Sequence, residues 1–428
     1  MEQLANELNK NLGIAAAFLS IEGRRMYFPY EGILGQGAEA KKCTLNATIG
    51  MAFEEDGSPL VMKCFADNVQ LPSKAFLYAG SFGNPELRKC WKEMQIKKNP
   101  SLKNVNFSEP VVTNALTHGL RIVGELFADK RDEVIVPDLY WDNYDLIFQE
   151  AVGCTMRRFN TFKNGAFDTD ALKAALLTPG AKKLLILNFP NNPSGYTATN
   201  EDVKKIVAAV KAVALKGKKI VVILDDAYFG LVYEKGIHEQ SLFAEFAELD
   251  PNVLAIKLDG TTKEDYVWGL RVGFISFAFK GANEAQLNAL AVKAAGIVRS
   301  SLSNISSIGQ ELALKAFSDK NYLKQKRDKY AILKSRYQEI HRIIKAHPEY
   351  KDCFEVMPFN SGYFMCVKPL RADAEAVRRR LVEKYSTGVI VLSGLIRIAF
   401  STVPKKKLSE VFHNVASAIR DVNSEFHF

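Results

Sequence analysis

No two cysteines in this 428-residue chain have the C-x-x-C spacing of a redox or zinc motif. Cys43, Cys64, Cys90, Cys154, Cys353 and Cys366 sit mostly in apolar surroundings. They read as reduced core thiols and point to a cytoplasmic protein, not a disulfide scaffold. Histidine is also scarce. His118, His238, His341, His347, His413 and His427 show no metal-ligand spacing, so no metal is expected. No apolar run approaches the length of a membrane span. The start, Met1-Glu2-Gln3-Leu4, lacks the basic and apolar regions of a secretory signal. No GxGxxG follows the first strands, which argues against a nicotinamide-binding fold. Internal repeats and low-complexity tracts are absent too. The net charge of +9 is carried by short, scattered runs such as Lys41-Lys42, Arg378-Arg379-Arg380 and Lys405-Lys406-Lys407. Nucleic acid would need those charges on one face with aromatics between them, so it is not an expected partner. An anionic substrate or cofactor accounts for some of the excess.

What is present is a chain with 47% hydrophobic residues, long enough for a large core and two or three domains. Residues 1 to about 44 read as an arm with an aromatic, glycine-rich segment from Tyr27 to Gly35. Asn46 to Phe53 reads as a short strand, followed by a turn at Glu54-Glu55-Asp56-Gly57-Ser58-Pro59. Val111 to Gly119 ends a strand and opens a helix that runs to about Lys130, whose first N–H groups read as an ordinary N-cap or as a ready anion site. Continuous apolar runs mark buried strands at Glu133–Val136, Lys183–Phe189, Ile220–Leu224, Val253–Ile256 and Val272–Phe279. Between two of them, Val203, Ile206, Val207, Val210 and Val213 repeat at helical spacing. Thr199 and Asp202 suit that helix's start and Gly217 its stop. Strands alternating with helices imply an α/β fold with a mostly parallel sheet covered on both faces. Such sheets bind ligands beyond the carboxyl ends of their strands, which places Asn192, Asp225, Tyr228 and Lys263 on one rim. Near Ser318 the character changes to a long charged helix up to about Lys345. Strands at Gly362–Val367 and Leu395–Phe400 and helices at Ala374–Lys384 and Leu408–Val422 then read as a smaller α+β domain. The expected division is residues 1–60 (arm and part of the small domain), 61–317 (large domain) and 318–428 (small domain).

The chemistry centres on Lys263. It lies in a Gly-, Thr- and Asp-rich turn between two buried strands, with Arg271 at the start of the second. A lysine held rigidly and partly desolvated is suited to forming a Schiff base. Three other motifs sit at strand ends: Asn188-Phe189-Pro190-Asn191-Asn192-Pro193-Ser194-Gly195, Asp225-Asp226-Ala227-Tyr228, and Arg397 in Leu395-Ile396-Arg397-Ile398-Ala399. Each alone has an ordinary reading, as a turn, a cap or a surface residue. The four in this order do not arise readily by chance.

Together they resemble the class I aminotransferases of the fold-type I pyridoxal phosphate enzymes, over most of the chain from about Asn46 to about Ser401. Trp141-Asp142-Asn143-Tyr144 and Arg299-Ser300-Ser301-Leu302-Ser303-Asn304 look like segments of the aspartate and aromatic branch. The resemblance implies pyridoxal 5'-phosphate as cofactor, with Lys263 as its Schiff-base lysine and proton shuttle. Asp225 is then the partner of the pyridinium nitrogen, and Tyr228 and Asn192 hydrogen-bond the phenolic oxygen. Trp141 stacks on the ring, which also places it beside the substrate. Arg271, Thr117 and the backbone at Ala115 and Leu116 hold the phosphate. Arg397 clamps the substrate α-carboxylate, Gly50 and Asn192 lie near the substrate, and Arg299 reads a distal carboxylate. Tyr78 and Ser303 reach the phosphate from a neighbouring subunit, which implies a homodimer with shared active sites. The implied activity is ping-pong exchange of an amino group between an L-amino acid (aspartate, glutamate or aromatic) and a 2-oxo acid. A lyase or decarboxylase on the same fold, or a non-catalytic regulatory protein, is the alternative. Two departures stand out. Gly260 replaces a serine three residues before Lys263, for which Thr261 or Thr262 could substitute, and Ala115-Leu116 replaces a more polar pair.

Overall fold

The computed structural model of the chain describes residues 2–30 and 32–425. His427, one of the six histidines, lies outside the described residues.

Seven strands form the main sheet. They are β1 (Val111–Thr113), β2 (Glu133–Pro137), β3 (Thr155–Phe159), β4 (Lys182–Asn188), β5 (Lys219–Asp225), β6 (Val253–Gly260) and β7 (Gly273–Phe279). Their spatial order is β1-β7-β6-β5-β4-β2-β3. Only β7 runs antiparallel to its neighbours. Among the helices are α1 (Pro85–Lys98), α2 (Ala115–Phe127), α3 (Asn200–Ala214), α4 (Thr261–Glu264), α5 (Glu284–Ser301), α6 (Tyr322–Ala346), α7 (Ala374–Tyr385) and α8 (Leu408–Glu425).

The central strands are apolar throughout because both of their faces are covered. Val221 and Ile223 of β5 pack into one core with Leu120 and Val123 of α2 and Val298 of α5. Val222 and Leu224 pack into the other with Val203, Ile206 and Val210 of α3. The start of α3 is the expected capping box. Thr199 Oγ1 accepts from the Asp202 N–H at 3.0 Å, and Asp202 Oδ2 accepts from the Thr199 N–H at 3.1 Å.

Strand β6 is longer than its apolar run predicts. It continues to Gly260, and Lys263 sits on the single turn of α4 instead of in an open loop. The residues that read as a turn are inward-facing charges. Lys257 is paired with Asp226 and Asp259 and all three are buried, so their polarity marks a buried ion cluster and not exposure to water. Arg271 precedes β7 by two residues, in the left-handed region at φ 56°. Helix α2 ends at Phe127, before the predicted Lys130.

A second, antiparallel sheet has the order β8-β9-β11-β10, from β8 (Phe354–Val356), β9 (Met365–Pro369), β10 (Ile390–Leu392) and β11 (Leu395–Ile398). Val377 and Leu381 of α7 and Val411, Val415 and Ile419 of α8 share its core. Strand β9 starts at Met365, not Gly362. Gly362 turns at φ 72° and donates its N–H to Leu231 O at 2.8 Å, docking that segment on the loop after β5. The strand expected at Asn46–Phe53 is only Leu45–Asn46, parallel to Thr387–Gly388. Asn46 Oδ1 accepts from the Thr48 N–H (3.1 Å) and hydroxyl (2.6 Å), an Asx-type turn that diverts the chain. Upstream, a short helix Ile33–Glu39 lies along β10, where the Gln36 amide bonds both Val391 O (3.0 Å) and Val391 N (2.6 Å). Among the described residues, no helix is long and apolar enough to cross a membrane.

Candidate active site

Strand parity aims the first group. Asp225 ends β5 in phase with Val221 and Ile223, so it points to their face of the sheet, beside Tyr144. The Tyr144 hydroxyl donates to Asp225 Oδ2 at 2.6 Å, and the Ala227 N–H donates to Oδ1 at 3.1 Å. Asp226 faces the other way, to Lys257 and to the Ser241 hydroxyl at 2.6 Å. Adjacent carboxylates therefore serve opposite faces of one sheet. Burial raises the pKa of the Asp225 carboxyl, against the Tyr144 hydrogen bond and the charge of Lys263.

Asp225 opens into a cavity of about 210 Å³ at the carboxyl ends of β4, β5 and β6. Lys263 reaches it from α4, its ammonium 5.2 Å from the centre of the Tyr228 ring. Burial, with a smaller push from Arg271, lowers the Lys263 amine to about 8 against the pull of Asp225. Arg397 arrives from β11 and is also buried. Its Nη1 donates to Asn192 Oδ1 at 3.0 Å and its Nη2 to Thr48 O at 2.7 Å, while Nε has no partner. The Phe364 ring lies 4.3 Å from the guanidinium carbon. Asn192 is fixed in turn, its N–H donating to Asn188 Oδ1 at 2.8 Å.

The far end of the cavity is the start of α2. Asn114 gives that helix no side-chain cap, and Ala115, Leu116 and Thr117, which carry its first amides, line the cavity. Arg271 also lines the cavity, and among the described residues its one hydrogen bond is long, 3.4 Å to Trp268 O, leaving donors free. Of the two threonines beside Gly260, Thr261 is committed to Val272 O at 3.1 Å. Thr262 Oγ1 is buried, has no partner and belongs to a residue lining the cavity. The glycine is a packing requirement. A Cβ at Gly260 would stand 2.7 Å from Gly273 Cα and from Val272 O, so a serine does not fit.

Gly50 and Trp141 complete the lining that the motifs suggest. Tyr78, Arg299 and Ser303 are not in it. Tyr78 is 94% exposed, and Arg299 is exposed with its Nη1 on Ser303 Oγ at 2.8 Å. Sequence reasoning gave no role to Tyr144, Asn188, Phe364 or Ile33, all of which line the cavity. Asn188 was findable, since it ends β4 in register with Asp225. Phe364 and Ile33 carried no signal, because their chain segments meet the cavity only in the folded molecule.

A family profile described as "Aminotransferase class I and II" matches residues 53–415. The chain belongs to the class I and II aminotransferases. The family's cofactor is pyridoxal phosphate. Curated relatives include a probable N-acetyl-LL-diaminopimelate aminotransferase of Bacillus subtilis, 26% identical over 242 residues, and an aspartate aminotransferase of Geobacillus stearothermophilus, 28% identical over 246 residues. Each alignment covers 56% of this chain and 56% of the relative. Among solved structures, an aminotransferase from Anaerococcus prevotii superposes with a TM-score of 0.82 at 21% identity, covering 93% of this chain and 99% of that one. An α-aminoadipate aminotransferase from Thermus thermophilus, complexed with N-(5'-phosphopyridoxyl)-L-leucine, gives 0.75 at 18%, covering 96% and 99%. These aminotransferase structures share the fold: a mostly parallel sheet with helices on both faces.

Proposed function

We propose that the chain is a pyridoxal phosphate-dependent aminotransferase acting on an L-amino acid and a 2-oxo acid. The observation that carries this is Lys263, a desolvated amine in a cavity whose other charged lining residues are Asp225, Arg271 and Arg397. Three cationic side chains against one carboxylate suit a ligand pair with a phosphate at one end and a carboxylate at the other. The unpartnered Thr262 hydroxyl, the free donors of Arg271 and the first amides of α2 fit the phosphate. The Arg397 guanidinium, with Nε unpartnered, fits the α-carboxylate.

When bound, the cofactor supplies a ring that delocalises the electron pair left on the substrate α-carbon. The chain supplies the rest. The Lys263 amine would hold the cofactor and would take and return the α-proton at Nζ. Asp225, braced by Tyr144, would place a negative charge beside the ring nitrogen. Tyr228 and Asn192 would address the phenolic oxygen, and Trp141 would cover a ring face. Arg397, backed by Phe364 and tied to Asn192, orients the substrate by its carboxylate.

The same proposal assigns residues 61–317 to the cofactor and lets residues 1–60 with 318–428 bring in Gly50 and Arg397. A homodimer is part of it. Phe76, Leu77 and Tyr78 form an exposed apolar stretch, and Tyr78, Ser303 and Arg299 serve the site of a second copy. Arg299 from that copy then reads a distal carboxylate, which makes aspartate and glutamate substrates alongside aromatic amino acids. A cytoplasmic setting agrees with six free thiols among the described residues, four of them buried. In the deciding experiment the purified protein is reduced with borohydride and the modified peptide identified. Attachment at Lys263 is expected, and attachment at any other lysine refutes the assignment.

A further inference from the structure

Helix α4 is one turn long, with no side-chain cap at Gly260, so it does not hold itself. The two residues after Lys263 are buried carboxylates, Glu264 at 2% and Asp265 at 0% exposure. Buried charges persist only when paired. Lys98, from the end of α1, donates to both Glu264 oxygens at 2.8 and 3.1 Å. Lys326, from the first turns of α6, donates to Glu264 Oε1 at 2.6 Å and to Asp265 Oδ1 at 2.9 Å. The Tyr322 hydroxyl joins the same Asp265 oxygen at 2.6 Å. The two lysines and Glu264 line an open cleft of about 990 Å³. The Tyr363 hydroxyl donates to the backbone of this turn, at 3.1 Å to Lys263 O.

The same helix grips the other half of the site. Ten residues along α6, about 15 Å by the helical rise, the fully buried Arg336 donates to Ser401 O at 2.5 Å and to Phe53 O at 2.7 Å. It also binds Glu55 Oε1 at 2.8 Å. Ser401 follows Arg397, and Phe53 follows Gly50. One rigid rod thus contacts the turn that carries the amine and the segments that carry the carboxylate clamp.

We propose that Lys326 is a positioning residue for Lys263: through Glu264 and Asp265 it fixes the α4 turn to α6, which keeps the Lys263 amine in the cavity and in register with Arg397. The proposal rests on the reading of Lys263 as the cofactor lysine. The groups that face the Lys263 amine are Asp225, Arg271 and the Tyr228 ring. Those that face the Glu264–Asp265 pair are Lys98, Lys326 and Tyr322, with Tyr266 alongside. A change at Lys326 leaves the first set in place but unmasks Glu264 and Asp265, whose charge also raises the amine, so a variant of opposite charge effect is needed beside it.

The test compares wild type with Lys326→Met and Lys326→Arg in the cofactor-free protein. The pH dependence of Lys263 acetylation by acetic anhydride is followed by mass spectrometry of its peptide. Burial is the main cause of the lowered amine, so a loosened turn that admits water should move the midpoint up by about half a unit or more in Lys326→Met. Lys326→Arg, which keeps the charge, should restore most of the wild-type midpoint. An unchanged midpoint in folded Lys326→Met, or an arginine variant no better than methionine, overturns the proposal. Asp265→Asn weakens the same contact while removing a negative charge, which alone would lower the amine, so it separates placement from charge and also stands in if Lys326→Met does not fold. An upward shift there supports the proposal, and none overturns it. Acetylation needs no cofactor. A wild-type protein that fails to attach pyridoxal phosphate at Lys263 therefore sinks the enzyme assignment separately.

Discussion

Asp225 and Asp226 are adjacent, identical in chemistry and buried, yet opposite strand faces give them separable effects. Asp226→Ala removes the nearer carboxylate from a buried lysine. Lys257 retains Asp259 at 3.3 Å, so the stability loss should fall at the lower end of the range for breaking a buried pair, about 3 kcal/mol. The Ser241 hydroxyl loses its acceptor as well. Asp225→Ala takes an acceptor from Tyr144 and from the Ala227 N–H, but relieves a carboxylate whose charge burial disfavours. The two effects oppose, so the net change in stability should stay within about 1 kcal/mol. Activity should show the reverse order. Loss of the charge beside the ring nitrogen should lower kcat by about 10²–10³-fold, the scale of removing a preorganised electrostatic group. Asp226→Ala should cost far less in rate under conditions where it stays folded. Urea midpoints and steady-state rates on the same preparations check both halves. If Asp226→Ala were the slower enzyme and Asp225→Ala the less stable protein, the strand parity assigned to β5 would be wrong.

Arg397→Lys keeps the charge but loses the planar fork, and should lower kcat/KM by about 10- to 100-fold, or 1.5–3 kcal/mol, for every amino donor alike. A loss confined to one donor contradicts its assignment to the shared α-carboxylate. Arg299→Asp should lower the ratio of kcat/KM for aspartate over that for phenylalanine, and an unchanged ratio removes the dicarboxylate reading. Capture of pyridoxal phosphate by the cofactor-free protein needs the unprotonated Lys263 amine, so its rate should rise as pH increases through about 8 and level off above. A midpoint at the ordinary lysine value of 10.5 contradicts the desolvated environment. Gly260→Ser should destabilise the protein by about 1–3 kcal/mol in thermal or urea unfolding, because its Cβ collides with backbone on β7. A neutral result means β6 and β7 can part there at no cost.

The sequence by itself determined the local features. Apolar runs flanked by turn residues were sufficient for β2, β4, β5 and β7, because strands buried on both faces cannot carry unpaired polar groups. The Thr199–Asp202 capping box was readable because a helix start is set by its own side chains. Strand-end motifs in order singled out Asn192, Asp225, Tyr228, Lys263 and Arg397, which line one cavity. Where the reading stopped, the missing term was a partner distant in the chain. Lys257 and Asp259 read as a turn because Asp226, which shares the lysine's charge with Asp259, lies just past the end of the neighbouring strand. The choice between Thr261 and Thr262 needed the Val272 carbonyl, and the glycine at position 260 needed the backbone of Gly273. Phe364 under the guanidinium, Ile33 at the cavity and Lys326 behind the lysine turn are likewise contacts across 30 or more residues of chain. A one-dimensional pattern records periodicity and local capping. Which buried charge meets which, and how closely two backbones approach, is decided only when the sheet and the long helix bring those residues together.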